Sequence, residues 1–191
     1  DVAPWVQSPL VLLKYQDEPM IASLRPLSAL FLAGLLAACA SSPSNNLGQL
    51  PRTPQASIEQ MLQQAAESKP EQAALLRLSA ADQSYQQNDV ARASRILEQI
   101  DIASLQPAQQ IFASTLKAEL AMARKQPKSA LKALQHPSLE RLGELPVEQQ
   151  IRAQLVRARA LEADGQTLAA ARERVFIAPL LSLSLIHISD G

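Results

Sequence analysis

Between residues 54 and 181 the apolar positions recur at helical rather than strand spacing, with polar residues filling the places between them. Val90, Ala93, Leu97 and Ile100 stand at i, i+3, i+7 and i+10, which puts them on one face of a helix. Leu168, Ala171, Val175 and Ala178 repeat that spacing, and Ala130 and Leu134 match its middle two positions. Start and stop residues cut the region into seven predicted helices. Pro54 opens the first, which runs to about Ser68, and Pro70 or Glu71 opens the second, which runs to about Gln87. The third covers about 89–100, the fourth starts at Pro107 and ends near Lys125, and the fifth runs from Pro127 to just before His136-Pro137. Val147 to Ala163 is the sixth, closed by Gly165, and Thr167 to about Ala178 is the seventh. A proline in the first turn costs little, because its missing N–H would have had no intrahelical partner. Ala93, Ala130 and Ala171 lie 37 and 41 residues apart, so the pattern predicts a repeating helical hairpin with the Leu and Ala stripes as its core.

The segment YQQNDVARASRILEQI resembles a tetratricopeptide repeat, in which a small residue early in the second helix lets the paired helices approach closely. Tyr85 stands near the end of the first helix, Asn88-Asp89 at the turn and Ala93 in the small position. Lys125-Gln126 and Asp164-Gly165 make the equivalent turns, with the third repeat one residue out of register. The period is longer and less regular than the family's 34 residues, and a plain helical bundle is the alternative. The predicted fold class is all-α, an α-solenoid of irregular tetratricopeptide-like hairpins preceded by a signal-peptide helix.

Ahead of the hairpins, Leu27 to Ala38 is a run of twelve apolar or small residues without charge. A membrane-spanning helix needs about twenty, so the run is too short to cross and stay. It follows Met20-Ile-Ala-Ser-Leu-Arg25, whose charge is positive, and precedes small residues, the order of a secretory signal. Leu36-Ala37-Ala38-Cys39 resembles the bacterial lipobox, which implies acylation of Cys39 as the new N-terminus and firm anchoring by several acyl chains. A buried helix with Cys39 as a small core residue is the alternative. Ala40 and Ser41 follow, and the absence of Asp in the second place points, by analogy with Gram-negative lipoproteins, to the outer membrane. The domain boundaries follow from this. Residues 1–19 are upstream sequence before the natural start at Met20, unless they are a genuine extension. Residues 20–38 are a lipoprotein signal peptide, 39–54 a lipidated, Ser/Pro/Asn-rich tether, and 55–181 the helical domain. Residues 182–191 resemble a translated sequencing adapter, a terminal strand being the alternative suggested by their alternating β-branched residues.

Composition supports helix: aromatics are 3% and glycines only 5, while Leu and Gln, not branched at Cβ, and small Ala recur, and these lose little rotamer freedom in helices. Lys+Arg and Asp+Glu both total 18, so no net field draws the chain to nucleic acid, which is not expected as a partner. One cysteine and two histidines, His136 and His187, cannot build a disulfide framework or a four-ligand Cys/His zinc site. Gly34, Gly48, Gly143, Gly165 and Gly191 are scattered, so no phosphate loop or dinucleotide fingerprint can be drawn. His136 precedes Pro137 at a helix end, where capping of the last carbonyls is expected rather than catalysis. Glu140 and Glu144 have the residue type of a glycosidase pair, but Arg141 stands between them in a charged loop. Arg152, Arg157 and Arg159 with Arg172 and Arg174 could bind an acidic partner or anionic glycan; a solvated face neutralised by Glu148, Glu162 and Glu173 is favoured. No catalytic residue, cofactor or metal site is predicted, and Cys39 is the one functional site residue.

The order of lipobox, tether and irregular hairpins, with LPRTPQASIEQMLQQAAES, AALLRLSAADQSYQQNDVARASRILEQI and QLVRARALEADGQTLAAARERVFIAPLL, resembles the N-terminal region of the LpoA-type penicillin-binding protein activator lipoproteins. The resemblance covers roughly Met20 to Leu181 and rests on whole segments. It implies a non-enzymatic outer-membrane lipoprotein facing the periplasm that activates a class A penicillin-binding protein and so regulates peptidoglycan synthesis. The family's second domain, held to contact the synthase, is expected after residue 181, so the chain is read as a truncated piece. A tetratricopeptide-type envelope scaffold and the helical, non-catalytic part of a lytic transglycosylase are the alternatives.

Overall fold

The computed structural model describes residues 47–51 and 56–189, with side chains up to residue 182. The upstream segment, the signal peptide, Cys39, Pro54 and most of the expected tether lie outside the described residues. Those described are all helical in architecture, with no strand among them. Helix α1 spans Ile58–Glu67, α2 Pro70–Gln86, α3 Val90–Leu97, α4 Pro107–Ala123, α5 Pro127–Ala133, α6 Val147–Ala163 and α7 Thr167–Ser189. Short 3-10 segments, Ile102–Ser104 and Pro137–Glu144, lie between α3 and α4 and between α5 and α6.

Helix α1 starts where its cap is, not at Pro54. Ser57 Oγ accepts from the Gln60 N–H at 3.2 Å, and Gln60 Oε1 accepts from the Ser57 N–H at 3.0 Å, a capping box that satisfies two otherwise free donors. The motif Ser57-Ile-Glu-Gln60 carries that signal in the sequence. Arg92 Nη2 donates to Glu59 Oε1 at 2.7 Å and ties α1 to α3.

Three hairpins follow: α2 with α3, α4 with α5, and α6 with α7. Their first helices are each 17 residues long, and each ends in the same turn. Asn88, Lys125 and Gly165 are left-handed, with φ of 63°, 58° and 82°. Their N–H groups donate to the carbonyls of Tyr85, Met122 and Glu162 at 2.9, 2.9 and 3.0 Å. The next N–H groups, of Asp89, Gln126 and Gln166, donate to Ser84, Ala121 and Leu161 at 2.9, 2.9 and 2.8 Å. This Schellman arrangement uses up carbonyls that the helix end leaves unpaired. Five residues beyond each left-handed position stands an alanine that is 0% exposed, Ala93, Ala130 and Ala170; small side chains there let the two helices of a hairpin close up.

That register corrects the sequence reading of the third hairpin. The buried alanine is Ala170, while Ala171 faces solvent. The stripe expected as core lies outside: Leu168 is 67% and Val175 72% exposed, and Phe176 beside it 68%. Among the described side chains of α7, Ile177 is the large one that is buried. The helix also continues past Ala178, through Pro179 to Ser189. Residues 182–189 are thus helical rather than a strand, despite their alternating pattern. Pro179 removes one backbone bond, on a side open to water, so the helix survives it.

The connections repeat as well. Gln110 Nε2 donates to the carbonyls of Ala103 and Leu105 at 3.3 and 3.0 Å, and Gln150 Nε2 does the same to Gly143 and Leu145 at 3.2 and 2.7 Å. The start-to-start spacing of the long helices is 37 and then 40 residues. The connections 98–106 and 134–146 differ by four residues and the short helices before them by one in the other sense, which explains the irregular period. Between hairpins the core is continuous: Leu97, Phe112 and Leu116 join the first to the second, and Ala118, Leu134 and Val156 the second to the third. Each fully buried leucine of this kind contributes about 1.5–3 kcal/mol.

Leu47–Pro51, in the stretch read as flexible tether, lies against the domain. Leu47 is 5% exposed and packs with Ala108, Ile111 and Leu145, and its carbonyl accepts from the Ala108 N–H at 2.7 Å. Gly48 is left-handed, φ +83°, and a Cβ there would meet Gln106 Cβ at 2.3 Å. Only glycine passes that point without displacing α4's cap.

Candidate functional site

Among the described residues, several ionisable side chains converge on the face shared by the long helices. Arg152 on α6 donates from Nη2 to Asp82 Oδ1 on α2 and to Glu119 Oε2 on α4, each at 2.5 Å, and from Nε to Glu119 Oε1 at 3.0 Å. Its guanidinium carbon lies 5.1 Å from the centroid of the Phe112 ring, within cation–π range. The repeat explains the meeting. Asp82 and Glu119 both stand six residues before their left-handed turn residue, and Phe112 and Arg152 both stand thirteen before theirs. Stacked hairpins align equivalent positions, so the two acids form one row and the ring and guanidinium a second, seven residues away on the same helix face. Arg159, in the position of Asp82 and Glu119, continues the first row and is exposed.

Burial pushes the Glu119 carboxyl above the ordinary carboxylate range, with Arg152 pulling the other way. Arg152 itself is held firmly charged: its hydrogen bonds and attraction to Glu119 and Asp82 outweigh the burial. Tyr85, beside the cluster, is raised first by burial and then by the Glu119 charge. Both carboxylates are committed to Arg152, so the cluster works as a clamp between hairpins, not as an acid and base.

Of the other arginines expected as one patch, two pair with acids, while Arg159 and Arg172 are exposed. Arg157 Nε lies 3.4 Å from Glu173 and Arg174 pairs with Glu162, as expected from the flanking acids. Arg152 leaves that patch for Asp82 and Glu119, 70 and 33 residues away in the chain. His136 caps, but in the opposite sense to that expected: its Nδ1 accepts from the Ser138 N–H at 3.3 Å, opening the second 3-10 segment rather than closing α5. Its ring is also 2.8 Å from the Ser138 hydroxyl, too local a pairing for a triad. Glu144 is held by Arg141 in a two-pronged pair, both distances 2.9 Å, which lowers the Glu144 carboxyl.

Grooves run between the elements. One of about 380 Å³ lies between the first two hairpins, lined by Leu97, Ile100, Lys117 and Arg124. A neighbouring one of about 790 Å³ shares Ile100, Lys117 and Ser129 and adds Asp101, Ser114 and Lys132. A third of about 760 Å³ is enclosed by Leu50, Met61, Leu75 and Gln106. Among the described residues no cluster of acids, histidines or cysteines is arranged for a metal ion, and no helix is long and apolar enough to cross a membrane.

Stacked hairpins with matching turns, matching glutamine-held connections and grooves between them define a helical-repeat domain of the α-solenoid kind. A family model described as "LppC putative lipoprotein" matches residues 51–189, and the chain belongs to that family. No curated protein and no solved structure matches it.

Proposed function

We propose that the chain is the N-terminal part of an outer-membrane lipoprotein, acylated on Cys39 and facing the periplasm, that activates a class A penicillin-binding protein and so regulates peptidoglycan synthesis. The observation that carries this is the combination of a lipobox-like Leu36-Ala37-Ala38-Cys39 with a domain of the LppC lipoprotein family directly behind it. In this reading the hairpins are a spacer and scaffold, and contact with the synthase is made by a domain beyond residue 181. The chain itself is non-enzymatic and takes no cofactor.

Three measurements test it. Labelled palmitate is incorporated into the wild type and not into Cys39→Ser, and membrane separation places the label in the outer-membrane fraction. The product of the uninterrupted reading frame accelerates glycan polymerisation or cross-linking by a purified class A penicillin-binding protein, and loss of that stimulation with lipidation intact would sink the activator reading alone. A zymogram that clears peptidoglycan would instead support the transglycosylase reading. The grooves between the hairpins, where Lys117, Arg124 and Lys132 stand among Glu98 and Asp101, support a second reading, an envelope scaffold that holds a peptide of mixed charge. In that case cross-linking from Lys117 recovers assembly factors and no synthase.

A further inference from the structure

Leu47 stands eight residues after Cys39 and eleven before Ile58, where α1 begins. Its contacts with Ala108, Ile111 and Leu145 all lie at one edge of the solenoid, the edge that carries the starts of α4 and α6 and the connections before them. The opposite edge carries the left-handed turns at Asn88, Lys125 and Gly165. The two are separated by a 17-residue helix, about 25 Å. Eight residues reach at most about 28 Å, whereas nineteen, the distance in sequence from Cys39 to Ile58, would reach about 65 Å. Docking of Leu47 therefore cuts the greatest possible span between Cys39 and the first docked residue by more than half, and moves the point of attachment from α1 to the base of the second hairpin.

Resting on the reading of Cys39 as the acylated residue, we propose that the connection edge, residues 98–106 and 135–146 with the Leu47–Pro51 strap, is the surface the domain turns toward the lipid bilayer. The turn edge then faces away and is left open to partners. Attraction to anionic lipid does not set this orientation, because the connections carry Glu98, Asp101, Glu140 and Glu144 against Arg141. The strap sets it, through the carbonyl of Leu47 on the Ala108 amide and the tight passage of Gly48 past Gln106.

The experiment uses the acylated protein in phosphatidylcholine vesicles with a headgroup quencher, and a fluorophore on Gly143→Cys or on Lys125→Cys. A Cβ at Gly143 meets nothing within 4 Å, and Lys125 is exposed, so both labels are accommodated. Quenching several-fold stronger at 143 than at 125, unchanged by salt, is expected. Equal quenching, or stronger quenching at 125, overturns the orientation. The double variant Leu47→Asp, Gly48→Val should erase the difference while leaving the helical circular dichroism intact, and a difference that survives it shows that the strap is not the cause. Protein that carries no acyl chain stays off the vesicles with neither probe quenched, which overturns the anchor reading together with the orientation.

Discussion

Arg152 is the side chain on which three of the long helices depend. Its side chain is 21% exposed and those of Asp82 and Glu119 15% and 14%, so the cluster is shielded but not dry. Truncation, Arg152→Ala, leaves two carboxylates facing each other with no cation, and a loss of about 2–3 kcal/mol is expected in urea unfolding, below the 3–5 typical of a fully buried pair. Glu119→Gln should cost about 1 kcal/mol or less, because the amide oxygen still accepts from Arg152 and the repulsion with Asp82 is relieved. The pH dependence has a definite sign. A carboxyl raised above its ordinary 4.5 binds its proton more readily in the folded state. Its contribution is therefore present in full below the unfolded value and is lost as pH rises through the folded one. The difference in stability between wild type and Glu119→Gln should shift against the wild type over that window, and a difference that stays flat across it contradicts the assignment. None of this was legible from the local pattern: Arg152 looked like one of five clustered arginines, and its partners show up only after the repeat is aligned on its turns. Arg157 and Arg174 were legible, because Glu173 and Glu162 stand within reach on the facing helix of the same hairpin.

Among the elements, the turns govern register. Asn88 and Gly165 tolerate a left-handed backbone, whereas Lys125 bears the Cβ penalty of about 1 kcal/mol. Lys125→Gly should raise the unfolding free energy by up to about 1 kcal/mol, and Gly165→Ala should lower it by a similar amount although the space around it is empty. Ser57→Ala should cost about 1 kcal/mol by removing the capping box of α1; thermal melts of the three variants rank them. The turns at Asn88-Asp89, Lys125-Gln126 and Asp164-Gly165 were readable in the sequence, and so were helix types and most boundaries. The one-residue slip in the third hairpin arose because Leu168, Ala171, Val175 and Ala178 imitate a buried stripe. Apolar periodicity reports a face, but it does not say which side of the helix a turn will turn inward.

Across the whole molecule, burial and not apolarity decides what a substitution costs. Leu116, fully buried between the first two hairpins, should lose about 2–5 kcal/mol as Leu116→Ala. Val175→Ser and Phe176→Ser should change stability by no more than about 0.5 kcal/mol, since both side chains are mostly in water; a large loss on denaturant unfolding would mean that the exposed face of α7 is covered. The repeat architecture was legible because it is written three times over. The docking of Leu47 was not, because its neighbours in sequence are those of a linker and its contacts are some sixty to a hundred residues away. That contact also decides how the protein answers a mechanical load. A pull between an N-terminal handle and the body of the domain falls first on one backbone hydrogen bond and the packing of Leu47 and Leu50. An optical trap should record an early, low-force step that lets out eleven residues, about 38 Å of chain, before any helix yields. The strap would then act as a weak link that spares the fold when the envelope is stretched.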